Sequence, residues 1–246
     1  MQTRDHMTVF IDNIRLYKRQ IESVKPEDER YVNALMARSD LLDLCGNFPQ
    51  MKFIIFTNLE DTPIDDFIID KIPENVACIS AVNAITHNDK VIPAPYGVQR
   101  KMTPDDDRIE QLTEWMEFDN KDNPDNLLYV SHNESSNVRR LGIKNLFYDK
   151  DWAEVNEQRV SYNTFLSNLS NSKFMICPIG NAIDCHRNWE VLYMRRVPIM
   201  TRDPYLEVLF KNYPVLFVDK YSDITEELLL ANDDLFQQAQ TMDLSN

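Results

Sequence analysis

His186, Arg187 and Glu190 fall close together in a stretch that reads KFMICPIGNAIDCHRNWEVLYMRRVPIM from position 173. The stretch opens as an apolar strand, breaks at Pro178 and Gly180, and resumes as an amphipathic helix from about Asp184. Pro178 stops a strand ladder, Gly180 permits a tight turn, and Asn181 or Asp184 can cap the new helix. A helix start presents free N–H groups and a partial positive charge, which suits phosphate. At about 100° per residue, His186, Glu190 and Tyr193 share one face with Arg187 at its flank. Cys185, Trp189 and Leu192 share the face expected to meet the core. Arg187 can bridge two phosphate oxygens, His186 can donate to a leaving phosphate, and Glu190 can accept from both hydroxyls of a ribose. A nucleoside diphosphate fits such a set. The plainer alternative is an i,i+3 surface pair of Arg187 and Glu190 beside a solvated His186, with Asp184 a simple cap.

The elements that must position these groups read as alternating strands and helices. MTVFI (7–11) reads as a strand and ERYVNALMARSDLLDLC (29–45) as an amphipathic helix. KFIIFTN (52–58) and VACISAV (76–82) read as strands around a short helix at 64–72, and VIPAPYG (91–97) as an extended Pro-rich connector. From 101 to 126 the chain is polar and acidic, with one helix around IEQLTEWMEF. Beyond it come a strand (127–130), helices (137–147 and 163–171), the strand 174–177, and the helix from Asp184. A strand (197–200), a helix (204–210), a strand (215–218) and a terminal helix complete the series. The expected fold is α/β: two Rossmann-like α/β/α domains facing a cleft, over 1–100 and 127–246, joined by the connector 101–126. Ligands bind such sheets where strands run out into helices.

Charge narrows the partners. The 246 residues carry a net charge of −14, which argues against diffuse attraction to nucleic acid or anionic membrane. A local basic stretch, Arg187, Arg195, Arg196 and Arg202 against Glu190 alone, suits a small anion better than a long polyanion. No apolar run is long enough for a membrane span, and the N-terminus lacks the apolar core of a secretory signal. Four cysteines without a CxxC pair suggest reduced thiols in a cytoplasm, a host's if the protein is viral. Cys185-His186 offers two metal ligands with no completing cluster, and Asp105-Asp106-Asp107 is expected to be solvated.

The run CPIGNAIDCHRNWEVLYMRRVPIM resembles the donor-site signature of exostosin-like glycosyltransferases of the GT-B class. Their pattern is Cys-Pro-x-Gly, an Asp, Arg-x-x-Glu, and a short stretch leading to Val/Ile-Pro-Ile/Val. The match falls on Cys177, Pro178, Gly180, Asp184, Arg187, Trp189, Glu190, Pro198 and Ile199. It departs at Arg195-Arg196, where the family usually has Gly. VIPAPYGVQ (91–99) resembles the family's Pro-x-Pro-x-Gly loop between the halves. LLYVSHN (127–133) resembles the first strand and phosphate-side loop of the donor domain, which brings in His132. NVRR (137–140) sits where related enzymes carry an arginine toward the diphosphate.

That resemblance implies a glycosyltransferase, inverting and metal-independent, with no permanently bound cofactor and a nucleoside-diphosphate sugar, a UDP-sugar, as donor. Arg187, His186 and Arg139 or Arg140 would stabilise the leaving diphosphate, and Glu190 would hold the ribose. Asn181, Asp184 and the Gly180 backbone would line the diphosphate or sugar. A base is then required. It is expected from the N-terminal half, where Asp12, Glu60 and Asp61 follow predicted strands. The acceptor would be a glycan hydroxyl or a hydroxymethylated base of bacteriophage DNA, with Lys144 and the 186–202 stretch lining one face for DNA. The alternative is a nucleotide-sugar-binding module without turnover.

Overall fold

The computed structural model describes residues 7–9, 31–35, 46, 49, 52–57, 63–86, 88–99, 103, 105–118 and 124–242. The fold is mixed α/β with two parallel five-stranded sheets. The chain divides into two compact units, Met1–Pro95 and Tyr96–Asn246.

In the first unit, β1 (Met7–Val9), β2 (Tyr31–Leu35), β3 (Lys52–Thr57), β4 (Val76–Ala81) and β5 (Val91–Pro93) lie side by side in chain order. The 29–45 helix is corrected here: Tyr31–Leu35 is a strand, paired residue for residue with Met7–Val9 on one side and Lys52–Phe56 on the other. Tyr-Val-Asn-Ala-Leu is too short for periodicity to separate a helix from a buried strand, and two neighbouring ladders decide it. Helix α1 (Asp66–Ile69) is capped by Asp65, whose carboxylate accepts from the Ile68 N–H at 3.1 Å. It packs Ile68 and Ile69 into a core with Phe53, Ile55, Val76 and Ile79.

In the second unit, α2 (Arg108–Phe118) precedes the sheet strands β6 (Asn126–Val130), β7 (Ala153–Val155), β8 (Ser172–Ile176), β9 (Val197–Thr201) and β10 (Leu216–Val218). Helices α3 (Tyr162–Ser170), α4 (His186–Tyr193), α5 (Pro204–Leu209), α6 (Glu226–Ala231) and α7 (Asp233–Thr241) complete it. The strand order is β10-β9-β8-β6-β7. Both faces of the sheet are covered. Leu128, Val130, Phe174, Ile176, Val197 and Ile199 join Leu229 and Phe236 from α6 and α7 in one buried cluster. From the opposite face Tyr129 stacks on Phe165 of α3, ring centroids 5.8 Å apart, and Trp189 of α4 packs on Phe210 at 4.8 Å. Such continuous burial is what parallel strands require.

Two local readings change. The expected helix at 137–147 is a chain of 3-10 turns, Glu134–Ser136, Val138–Arg140 and Lys144–Leu146. Asn133 and Asn137 accept from the backbone N–H groups of Ser135 and Arg139, and Gly142 adopts φ +76°. These side-chain bonds offer the backbone an alternative to helix, and the left-handed glycine interrupts it. Strand β7, three residues at the sheet edge, was too short to register as a pattern.

Strand order reverses between β6 and β8. In open α/β sheets, that reversal opens a crevice beyond the carboxyl ends of the two strands. The loops leaving β6 and β8 meet there.

Candidate functional site

The loop after β8 is built around Arg140. Its guanidinium Nε donates to the Ile179 carbonyl at 2.9 Å, Nη2 to the Pro178 carbonyl at 2.7 Å, and Nη1 to Ser136 Oγ at 2.9 Å and the Asn133 carbonyl at 3.3 Å. Asn137 Nδ2 donates to the Gly180 carbonyl at 2.6 Å. A Cβ on residue 180 would lie 2.9 Å from Arg140 Nη2 and 3.1 Å from Cys185 Sγ, so glycine is required for this close approach. Arg140 thus ties the β6 loop to the β8 loop, and its donors are spent on the protein's own oxygens. His132 joins the same tie. Its Nε2 donates to the Arg140 carbonyl at 3.3 Å, and burial lowers its pKa to about 4, so the ring is neutral at pH 7. Its Nδ1 is buried without a hydrogen-bond partner among the described residues.

Helix α4 starts at His186 with Cys185 as N-cap, and no side chain caps it. Asp184, expected as the cap or as a donor-site group, is instead wholly buried. Its carboxylate accepts from the Tyr96 backbone N–H at 2.7 Å, Asn188 Nδ2 at 2.9 Å and the Trp189 indole at 2.8 Å. Burial pushes this carboxyl above the ordinary aspartate range, against the pull of those donors. The effect is to fasten residue 96 to the first turns of α4. Asn181 is exposed in the loop.

His186 stands on this fastening. Its Nδ1 lies 2.7 Å from the Gly97 carbonyl, and the Tyr96 ring meets its edge with centroids 4.3 Å apart. A carbonyl only accepts, so Nδ1 carries the proton, and a neutral His186 presents a lone pair at Nε2. Donation from Nε2 to a phosphate is then confined to the doubly protonated ring.

Arg187 sits over the Phe165 ring, with Cζ 3.6 Å from its centroid, and its Nε is 3.4 Å from Glu190 Oε2. Its Nη1 is buried without a hydrogen-bond partner among the described residues. Glu190, expected on the solvent face, is only 5% exposed. Its Oε1 accepts from the Tyr162 hydroxyl at 3.2 Å, and burial together with Glu190 pushes that phenol's pKa up. The polar face of α4 is therefore narrower than its spacing suggested, and Glu190 holds Arg187 from within. Arg108, which opens α2, pairs with Asp106 through Nε and Nη2 and with Gln99 through Nη1. The Asp106 bond raises the Arg108 pKa, with smaller contributions from Glu190 and Tyr162. Asp106 was expected to be solvated; its side chain is 9% exposed because Arg108 covers it.

The basic stretch does not form a patch. Arg196 is 1% exposed and donates to the Met194 and Ser170 carbonyls at 3.1 Å and 2.6 Å. Arg202 is shared between Glu207 and Asp219, and Lys144 is buried, its Nζ 2.9 Å from the Glu157 carbonyl. Arg139 is exposed and lines a cavity of about 160 Å³ with Pro178, Ile179, Thr201, Asp219, Lys220 and Tyr221, beyond the carboxyl ends of β8, β9 and β10. Asp12, Glu60 and Asp61 lie outside the described residues. Among the described residues, no three His, Cys, Asp or Glu side chains gather as a metal set.

The structure thus holds His186, Arg187 and Glu190 on the first turns of α4, with Arg140 and His132 bracing the loop before it and Asp184 bracing the helix start. Spacing along the chain missed Arg108, Tyr162 and Phe165, and the 91–99 loop was singled out by resemblance without the contacts of Tyr96 and Gly97 to Asp184 and His186. Tyr162 and Phe165 carry a faint signal, an aromatic pair three residues apart on a helix; Tyr96 and Gly97 come from the loop after β5 and Arg108 from the start of α2, and their reach is visible only in three dimensions. No family model matches the chain, and a search of curated proteins finds no match.

Proposed function

We propose that the protein transfers a sugar from a nucleoside-diphosphate sugar to a hydroxyl acceptor without a metal, inverting the anomeric carbon. The Tyr96–Asn246 unit would take the donor, as one of two α/β domains of a compact GT-B-like arrangement. The carrying observation is the state of Arg187. Its guanidinium sits over Phe165, held at Nε by a buried carboxylate, and left with Nη1 unpartnered among the described residues. A cation held in one orientation, its side chain about a third exposed, can face a diphosphate, and it gives the leaving group a counter-charge in place of a metal. The resemblance of the 177–199 run supports the same reading. Arg140 and Glu190 serve it from behind, by shaping the loop and aiming Arg187. Small hydroxyl acceptors such as glycans fit better than duplex DNA, because Arg196 and Lys144 are spent inside the protein and Arg202 is paired with Glu207 and Asp219 at the surface.

Thermal melting with UDP, GDP, ADP and CMP, and with their sugar conjugates, tests the reading. One nucleoside diphosphate at about a hundred times its Kd should stabilise wild type by about 2.7 kcal/mol, a rise of roughly 5–10 °C. Arg187→Ala should remove most of the rise. No rise with any of them near millimolar concentration would overturn the transferase reading.

A further inference from the structure

The reaction just proposed lacks a base, and the three acids nominated for that role on sequence lie outside the described residues. We propose that His186 takes the proton from the acceptor hydroxyl, an assignment that rests on the transferase reading. Three observations carry it. The Gly97 carbonyl at 2.7 Å fixes the proton on Nδ1, so the neutral ring offers Nε2 as an acceptor. Nε2 has no protein hydrogen-bond partner among the described residues, and His186 is half-buried. The residue before Gly97 is fastened to α4. Asp184, wholly buried, accepts the Tyr96 N–H at 2.7 Å while gripping Asn188 and Trp189 one turn into α4. A backbone acceptor on Nδ1–H orients an imidazole and stabilises it when it becomes charged.

The lone pair also speaks against the other role. A neutral Nε2 faces a phosphate oxygen lone pair to lone pair, whereas a hydroxyl can donate to it. The guanidinium of the next residue supplies the cation, which leaves the imidazole free for the proton. In the transfer, the acceptor O–H proton passes to Nε2 as the acceptor oxygen bonds to the anomeric carbon. The bond from that carbon to the diphosphate oxygen breaks, and its electron pair leaves on the nucleoside diphosphate beside Arg187. The imidazolium then returns its proton to solvent. Asp184 is a positioning residue in this scheme.

The test compares wild type with His186→Asn, whose amide can keep the donation to Gly97 but has no base, and with His186→Ala. Each is assayed for thermal shift with UDP and GDP. Each is also assayed for nucleoside-diphosphate release from UDP-glucose, UDP-N-acetylglucosamine and GDP-mannose, with water, glycerol and methyl glycosides as acceptors. Expected are an unchanged shift and a turnover at saturating donor lower by about 10²–10⁴-fold in both variants. Added imidazole should restore part of the turnover in His186→Ala. Wild-type turnover in His186→Asn overturns the assignment. So does loss of the nucleotide shift with turnover kept at saturating donor, which makes His186 a phosphate ligand. Wild-type binding with no turnover on any acceptor overturns it in favour of a binding module. Absence of any shift in wild type overturns the donor reading itself.

Discussion

Gly180 and Arg140 form a couple in which each explains the other. The guanidinium holds two loop carbonyls only because residue 180 has no side chain in its way. Gly180→Ala should cost about 1–3 kcal/mol, the usual range for overfilling a packed site, read as a lower urea midpoint with unchanged slope. The same substitution in an Arg140→Ala background should cost less, since the closest neighbour is gone; equal costs in both backgrounds would refute the couple. His132 beneath this tie makes a pH prediction. It titrates near 4 in the folded protein against about 6.5 in an unfolded chain. Between those values the unfolded chain binds a proton that the folded one refuses, so its contribution is present above about 6.5 and lost as pH falls toward 4. The slope is at most about 1.4 kcal/mol per pH unit. Subtracting the urea-unfolding curve of His132→Gln from that of wild type should isolate this fall, and a flat difference would contradict it.

At the scale of elements, the end of α4 departs most clearly from expectation. Arg195 has φ +54°, its N–H donates to the Leu192 carbonyl at 2.9 Å, and the Arg196 N–H reaches the Val191 carbonyl at 3.0 Å. That is a Schellman ending with an arginine where glycine is favoured, the same place at which the sequence leaves the exostosin-like pattern. Arg195→Gly should therefore raise stability by about 0.5–1 kcal/mol, less whatever the exposed bond from Arg195 to the Gln240 carbonyl contributes. A lower urea midpoint would show that this bond outweighs the strain. Apart from β7 and the 3-10 turns of 134–146, the alternation of strand and helix from 127 onward was legible because β6, β8, β9 and β10 are largely buried apolar runs, and apolar runs are visible in a sequence. The strand at 31–35 was not, because its pairing partners, not its own five residues, decide its state. The exposure of Glu190 was misread for a related reason. Helical spacing places it beside His186, but Tyr162 and Arg187 close over it from a second helix and from its own. Spacing names a face; packing decides how wide that face is.

At the scale of the molecule, every described residue of the candidate site belongs to the Tyr96–Asn246 unit, which has its own sheet and a core on each side of it. A unit of roughly 150 residues buries about 70% of its chain surface, enough to fold by itself. A fragment starting at Ala94, which keeps the Tyr96 N–H an amide for Asp184, should unfold in one cooperative transition. It should also keep the nucleoside-diphosphate shift of the full chain to within about a factor of three in Kd. The fragment separates the two homes available to a base. Donor turnover with water that survives in the fragment and falls with His186→Asn locates the base within 96–246. A fragment that binds the nucleotide as the full chain does, yet releases no sugar, returns the base to the Met1–Pro95 unit, where Asp12, Glu60 and Asp61 lie. A fragment that folds but does not bind where the full chain does makes residues before 94 part of the donor site, and Arg187 is then insufficient by itself.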